Sequence, residues 1–168
     1  MPNKLDEHVH VGEYEGDWAH WFADERKRLP AALGLASEDL QHIGSTAVAG
    51  MIAKPIVDIM IGFVGCHYES FGEAGVPGRL YLRRRGLQSI NRHLVCKGGN
   101  HWTNNIAMRD YLRSSAQARA RYGRAKTAAL AGEATALLAY SEAKAELVRT
   151  LLDEALAQQR GQPTGSSC

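Results

Sequence analysis

Gly44, Ser45, Thr46, Lys54 and Asp58 are the residues whose types and spacing could do chemistry together, within HIGSTAVAGMIAKPIVDIMIG, residues 42–62. Glycine lets the backbone approach an anion closely, and successive N–H groups at a turn point toward it, so a Gly-Ser turn suits a phosphate. The Ser45 and Thr46 hydroxyls add donors. Asp58 follows Ser45 by 13 residues and lies inside an otherwise apolar run. A carboxylate in such a run is costly unless a cation sits against it. Beside a phosphate-binding turn it is well suited to Mg²⁺, which bridges phosphate oxygens and offsets their charge. Lys54 is near enough in sequence to pair with a phosphate or with Asp58. Gly-Ser turns are common; the combination is what is specific.

The elements that must position these residues read as follows. Gly16-Asp17 offers an N-cap before WAHWFADERKRL, where Trp18, Trp21, Phe22, Glu25 and Leu29 step at helical spacing. Pro30 kinks or ends that helix, with a short continuation to Leu33. Leu40 to Ile43 predicts a short strand, followed by the Gly-Ser turn and one helical turn from Ala47 to Ile52. Pro55 to Phe63 is the clearest strand, with Ile56, Asp58 and Met60 on one face and Val57, Ile59 and Ile61 on the other. Residues 64–78 are glycine-rich and read as loop. Arg79 to Arg84 and Ile90 to Cys96 predict two more strands joined at Gly86. From about Asn100 the composition turns to alanine, leucine and arginine, and predicts helices near 102–114, 116–131 and 133–159. The layout is a mixed α/β, α+β single domain over 1–160, with a disordered tail over 161–168. RYGRAK and AYSEAK both carry Tyr-x-x-x-Lys, 18 residues apart. An i, i+4 pair shares one helix face, and a tyrosine packed on the sheet beside a lysine stem is the favoured reading.

The totals bound the rest. A chain of 168 residues, 45% apolar and 23% charged, is long enough for one real core. A net charge of +2 carries no strong polyanion signal. The arginines permit a nucleic-acid acceptor without favouring it. No apolar run reaches the roughly 20 residues that span a membrane, and the N-terminus lacks a secretory layout. Three scattered cysteines suit a reducing cytoplasm, with Cys66 and Cys96 as small core hydrophobes and Cys168 in the tail.

HIGSTAVAGMIAKPIVDIMI closely resembles the signature of the GrpB-like family, a branch of the nucleotidyltransferase superfamily. VHVGEYEGDWAHWFADERKRL resembles the family's opening helix, and HLVCKGGNHWTNNIAMRDYLR its later strand and "RDYLR" helix start. Tyr122/Lys126 and Tyr140/Lys144 match the recurrent Tyr and Lys of the closing helices. The resemblance covers nearly the whole chain to about residue 157. It implies a small mixed β-sheet flanked by helices with a C-terminal helical layer. It also implies a bound nucleoside triphosphate, with ATP expected, whose phosphates meet Gly44 and Ser45. In the superfamily an Asp-x-Asp/Glu pair and a third carboxylate on a later strand hold the metals for in-line attack at the α-phosphate. Asp58 matches the first carboxylate. Met60 occupies the second position, and methionine does not hold Mg²⁺. The later strand offers Asn91, Arg92 and His93 but no acid.

Other groups are candidates to fill the gap. His42 directly precedes the turn, and His93 sits where Asp58 could be its cross-strand partner, so a His–Asp pair could act as general base. A core histidine satisfied by backbone is the alternative for each. His101 and Trp102 could form a stacking rim. Arg83, Arg85, Arg92 and Arg109 are candidate phosphate or carboxylate forks, with an Arg109–Asp110 ion pair as the alternative for the last. Three functional readings follow. The first is a Mg²⁺-dependent transferase or ligase acting on a nucleoside triphosphate and a small-molecule acceptor. The second is a non-catalytic nucleotide or coenzyme binder. The third is an interaction module whose alanine-rich helices permit a homodimer face.

Overall fold

The computed structural model describes residues 8, 10–33, 35–63, 79–131 and 137–161. Four strands form one mixed sheet: β1 (Leu40–Ile43), β2 (Val57–Phe63), β3 (Arg79–Arg84) and β4 (Ile90–Cys96), in the order β1-β2-β4-β3. β1 runs antiparallel to β2, β2 parallel to β4, and β3 antiparallel to β4. The helices are α1 (Asp17–Leu33), α2 (Asn100–Ser114), α3 (Ala116–Ala131), α4 (Leu137–Ala143) and α5 (Ala145–Gly161). This is the mixed α+β class that the sequence predicts, with one helix on one face of the sheet and the helical layer on the other.

Why β2 reads as almost wholly apolar follows from that layering. Its Val57, Ile59 and Ile61 pack with Leu40, Ile90 and Trp18 under α1. Its Met60 packs on the opposite face with Ile43 and Val95, against Trp102 and Ile106 of α2. The chain approaches α2 so closely at Gly62 that a Cβ there would lie 2.6 Å from the Trp102 ring. Leu112, Ala118 and Leu151 then join α2, α3 and α5 around Val48 and Met51. Before the sheet, Gly12 and Ala53 form a two-residue bridge.

Several expectations are corrected. The helical turn at residues 47–52 is instead a 3-10 turn at Ser45–Ala47. Of the two readings at Pro30, the helix does not end there, and the continuation to Leu33 is as expected. The helix expected over 133–159 is two helices, α4 and α5, separated at Lys144. Nothing local explains that break, since Ala, Glu and Lys are all good helix formers; the interruption coincides with the residue whose side chain turns into the cavity described below. Cys96 is exposed at the end of β4 rather than a core residue. The loop over 64–78, Cys66, Gly132, Cys168 and residues 162–168 lie outside the described residues.

Candidate functional site

The 3-10 turn at Ser45–Ala47 follows Gly44, whose φ of 70 and ψ of −169 suit glycine alone. A Cβ on Gly44 would sit 2.8 Å from Asp58 Oδ2, so the missing side chain lets the turn close against the carboxylate. The register brings this about: Ile43 pairs with Asp58, and Asp58 pairs with Asn91.

Asp58 Oδ1 accepts hydrogen bonds from Asn91 Nδ2 at 2.7 Å and from His93 Nε2 at 3.0 Å. Behind them, Asn91 Oδ1 accepts from Tyr81 Oη at 2.8 Å and from Arg85 Nη1 at 3.0 Å. Arg79 Nη1 lies 3.3 Å from His93 Nδ1. An arginine only donates, so Nδ1 accepts and the ring proton sits on Nε2, facing Asp58. Burial by itself would raise the pKa of Asp58, but the hydrogen bond and charge of His93, the Lys54 charge and the Asn91 hydrogen bond hold it down to about 2. It is an anion at neutral pH, with Oδ1 saturated and Oδ2 turned toward the turn.

A cavity of about 130 Å³ opens over this carboxylate, lined by Gly44, Ser45, Lys54, Asp58 and the two Tyr/Lys pairs. Lys126 Nζ bonds to Ser45 Oγ and, at 2.7 Å, to the Ile52 carbonyl. It lies 4.7 Å from the Tyr122 ring centroid. Lys144 Nζ lies 4.3 Å from the Tyr140 ring and 5.6 Å from that of Tyr122. Burial, with the like charges of Lys144 and Lys54, pushes Lys126 down to about 7. Burial lowers Lys144 to about 8. Tyr122 is raised to about 12 by burial, and Tyr140 is also raised by burial. The Tyr140 hydroxyl is buried and has no partner among the described residues.

The structure brings together Gly44, Ser45, Lys54, Asp58 and His93 from the sequence candidates and disperses the others; Thr46 borders the cavity, but its buried hydroxyl donates to the Ile56 carbonyl and meets His42 rather than serving as a donor there. His42 pairs with Ile59, one position from Asp58, so its ring points to the α1 face. There it stacks on Phe22 with centroids 4.9 Å apart, and its Nε2 lies 3.0 Å from Thr46 Oγ1. Burial and the charges of Arg113 and Arg109 lower it to about 4 against the pull of Asp58, so it is neutral. It lines a separate open cavity of about 500 Å³ with Tyr14 and Arg113. Arg92 also pairs with Ile59 and falls on the α1 face, where it holds the buried Glu25 at 2.6 Å together with Arg84 at 3.2 Å. Arg109 is bound to Asp110 at 2.7 Å and to Gln41 at 2.8 Å. Arg83 lies in β3 opposite Asn91, and its side chain is outside the described part. Trp102 packs over Gly62 in the core, so the rim expected of it is not formed. The sequence reading treated Tyr122, Lys126, Tyr140 and Lys144 as packing; the repeated Tyr-x-x-x-Lys was the signal that marked them.

The donor set decides which metal arrangement fits. One Mg²⁺ can take Asp58 Oδ2, with phosphate oxygens and waters completing its shell. A two-ion clamp does not fit. Met60 is fully buried in the core, and the later strand presents Asn91 and His93 as donors to Asp58. Among the described residues no group of three or more His, Cys, Asp or Glu stands together. No helix of the described residues is long and apolar enough to cross a membrane.

Known proteins share this plan. The family model described as "GrpB protein" matches residues 8–154. The UPF0157 protein SCO7215 of Streptomyces coelicolor is 30% identical over 163 residues, spanning 90% of this chain and 87% of the relative. The glutamate-rich protein GrpB of Alkalihalophilus pseudofirmus is 29% identical over 118 residues, or 59% of this chain and 68% of the relative. The crystal structure of conserved protein GrpB from Enterococcus faecalis superposes with a TM-score of 0.75 at 26% identity, over 89% of this chain and 99% of that one. On the family match and the shared fold, the chain belongs to the GrpB family, a branch of the nucleotidyltransferase superfamily.

Proposed function

We propose that the cavity binds the polyphosphate of a nucleoside triphosphate, ATP being the expected one, and transfers its nucleotidyl group to a small-molecule acceptor. One observation carries the reading: three lysines, Lys54, Lys126 and Lys144, converge with the Gly44-Ser45 turn on a single carboxylate. Cations in excess over acids, in a half-enclosed cavity, favour a multiply charged anion. The unpartnered Tyr140 hydroxyl adds a donor that a phosphate oxygen can satisfy.

In this reading Asp58 holds one Mg²⁺, which when bound withdraws charge from the phosphates. Lys126 and Lys144 take over part of the charge neutralisation that a second ion gives elsewhere in the superfamily. Burial favours their neutral forms, so an entering polyphosphate draws protons onto them and gains two close cations. Asn91 and His93 fix the Asp58 rotamer, and Arg79, Tyr81 and Arg85 fix Asn91 and His93 in turn. His93 has a donor on one ring nitrogen and its own proton committed on the other, so it orients rather than accepts protons.

The second reading is a binder of nucleotide or coenzyme without transfer. It is favoured by Met60, which leaves the second carboxylate position to the core. Thermal melting with ATP, GTP, CTP and UTP, with and without Mg²⁺, tests the first step common to both. A magnesium-dependent rise that Asp58→Asn removes supports binding in this cavity. Pyrophosphate release in the presence of an acceptor then separates transferase from binder. Unmoved melting with all four nucleotides rules out both.

A further inference from the structure

The open cavity of about 500 Å³ beside His42 has a chemistry of its own. The 3-10 turn divides it from the lysine cavity: Ala47, Val48 and Ala49 line the one, Gly44 and Ser45 the other. Thr46 borders both. The cations in the wall are Arg113 and Arg119, and among the described residues no acid lines it. A concave surface with two guanidinium groups and no counter-charge of its own favours an anion.

Each arginine is tied to the backbone by part of its fork. Arg113 Nε donates to the Ala47 carbonyl at 2.9 Å. Its Nη1 lies 3.7 Å from Asp110 Oδ1, an oxygen that Arg109 holds more closely, at 2.7 Å. Arg119 Nη1 donates to the Leu112 and Arg113 carbonyls at 2.8 and 2.9 Å. These contacts fix both forks in advance and leave N–H groups on each for a carboxylate. His42 makes the opposite demand. Thr46 has one hydroxyl hydrogen and gives it to the Ile56 carbonyl at 3.3 Å, so the proton between Thr46 and His42 belongs to His42 Nε2. The ring is neutral, lowered to about 4 by burial and the charges of Arg113 and Arg109 against the pull of Asp58. Its Nδ1 is therefore an acceptor, and no hydrogen bond reaches it among the described residues. A ligand that satisfies this wall brings an anion to the arginines and a donor to the imidazole.

We propose that this cavity is a second ligand site, for a small carboxylate that carries a hydroxyl group beside its acid. Arg113 and Arg119 take the carboxylate, and the hydroxyl donates to His42 Nδ1. An ammonium donor would stand against two guanidinium charges, so the donor is a neutral hydroxyl. An α-hydroxy dicarboxylate meets both demands. The same acid without its hydroxyl leaves Nδ1 unpaired in a site closed to water. The inference stands apart from the nucleotide reading, because Arg113, Arg119 and His42 do not line the lysine cavity.

The test uses the full chain, without Mg²⁺, and two probes that differ by one hydroxyl, malate and succinate. Titration calorimetry should find malate bound about tenfold more tightly than succinate. In the unmodified protein the nitrogen NMR resonance of His42 Nδ1 should move with malate and stay in place with succinate. Arg113→Met and Arg119→Met should each weaken malate about tenfold or more. Both arginines also brace backbone carbonyls, so if either variant melts early the His42 resonance of the parent carries the comparison. Lys144→Met, which alters the lysine cavity alone, should leave malate affinity unchanged. Equal affinity for the two acids, or a His42 resonance unmoved at saturating malate, overturns the proposal. So does a loss of malate binding in Lys144→Met, which would place the anion in the lysine cavity.

Discussion

His93 Nε2 lies 3.0 Å from Asp58 Oδ1, and Arg79 Nη1 lies 3.3 Å from the other nitrogen of the same ring. The imidazole is thereby held in place as a donor to the carboxylate. It positions Asp58 and keeps it ionised, and exchanging it should affect magnesium binding rather than a proton-transfer step. His93→Gln, which can still donate, should keep most of the magnesium-dependent nucleotide shift. His93→Leu should lose about 10- to 100-fold in magnesium affinity, measured by titrating the ion at fixed ATP. Equal losses in the two variants would contradict a purely orienting role.

Asp58 also links stability to acid. Its folded pKa of about 2 lies below the ordinary 3.8, so its contribution is complete above pH 4 and is lost as pH falls through 2. The shift corresponds to roughly 2 kcal/mol. Chemical denaturation of Asp58→Asn should therefore show a flatter stability profile between pH 4 and pH 2 than the parent, whatever its offset at neutral pH.

Lys126 acts in the opposite sense. A lysine lowered from 10.5 to about 7 binds more protons in the unfolded chain than in the folded one across that interval. Stability should rise with pH from about 7 toward 10.5. Lys126→Met should reduce that rise, and the slope is the safer readout because the substitution also leaves the Ile52 carbonyl without its donor. An unchanged slope would place Lys126 in water.

Glu25 tests the other face of the sheet. It is 3% exposed and meets Arg92, Arg84 and Arg28. Glu25→Ala leaves Arg92 half-enclosed without its counter-charge and should cost about 3 kcal/mol. Because this network lies across the sheet from Asp58, nucleotide affinity per folded molecule should not change. A selective loss of affinity at full stability would assign Arg92 to the site after all.

Gly44→Ala would set a Cβ 2.8 Å from Asp58 Oδ2 in a backbone region that alanine avoids. It should destabilise by about 2 kcal/mol and abolish the magnesium-dependent shift at temperatures where the variant remains folded, as judged by circular dichroism.

The strands were legible as short runs of alternating apolar residues, β-branched most clearly in β2, bounded by Gly, Pro or a polar turn. Leu40–Ile43, Arg79–Arg84 and Ile90–Cys96 fall where the sequence puts them. The alternation in β2 likewise assigned Asp58 and Met60 to one face. The His93–Asp58 contact was expected, but the register was not legible: His93 pairs with Met60 and Asn91 with Asp58. Register decides that His93 reaches Asp58 while Arg92, its neighbour, turns to Glu25, and no local pattern encodes which strand lies beside which. The lysines were hidden for a related reason. Lys126 and Lys144 read as stems beside packed tyrosines until α3 and α4 are placed over the Gly-Ser turn, 81 residues from Lys126 in the case of Ser45. The break at Lys144 was invisible because good helix formers surround it.

The most direct measurement is a crystal structure with Mg²⁺ and a non-hydrolysable ATP analogue. The account predicts the phosphate chain against the Gly44-Ser45 turn, within hydrogen-bond reach of Lys126 and Lys144, and a single ion on Asp58 Oδ2. A phosphate chain bound elsewhere, or a cavity left without it at saturating analogue, would contradict the account.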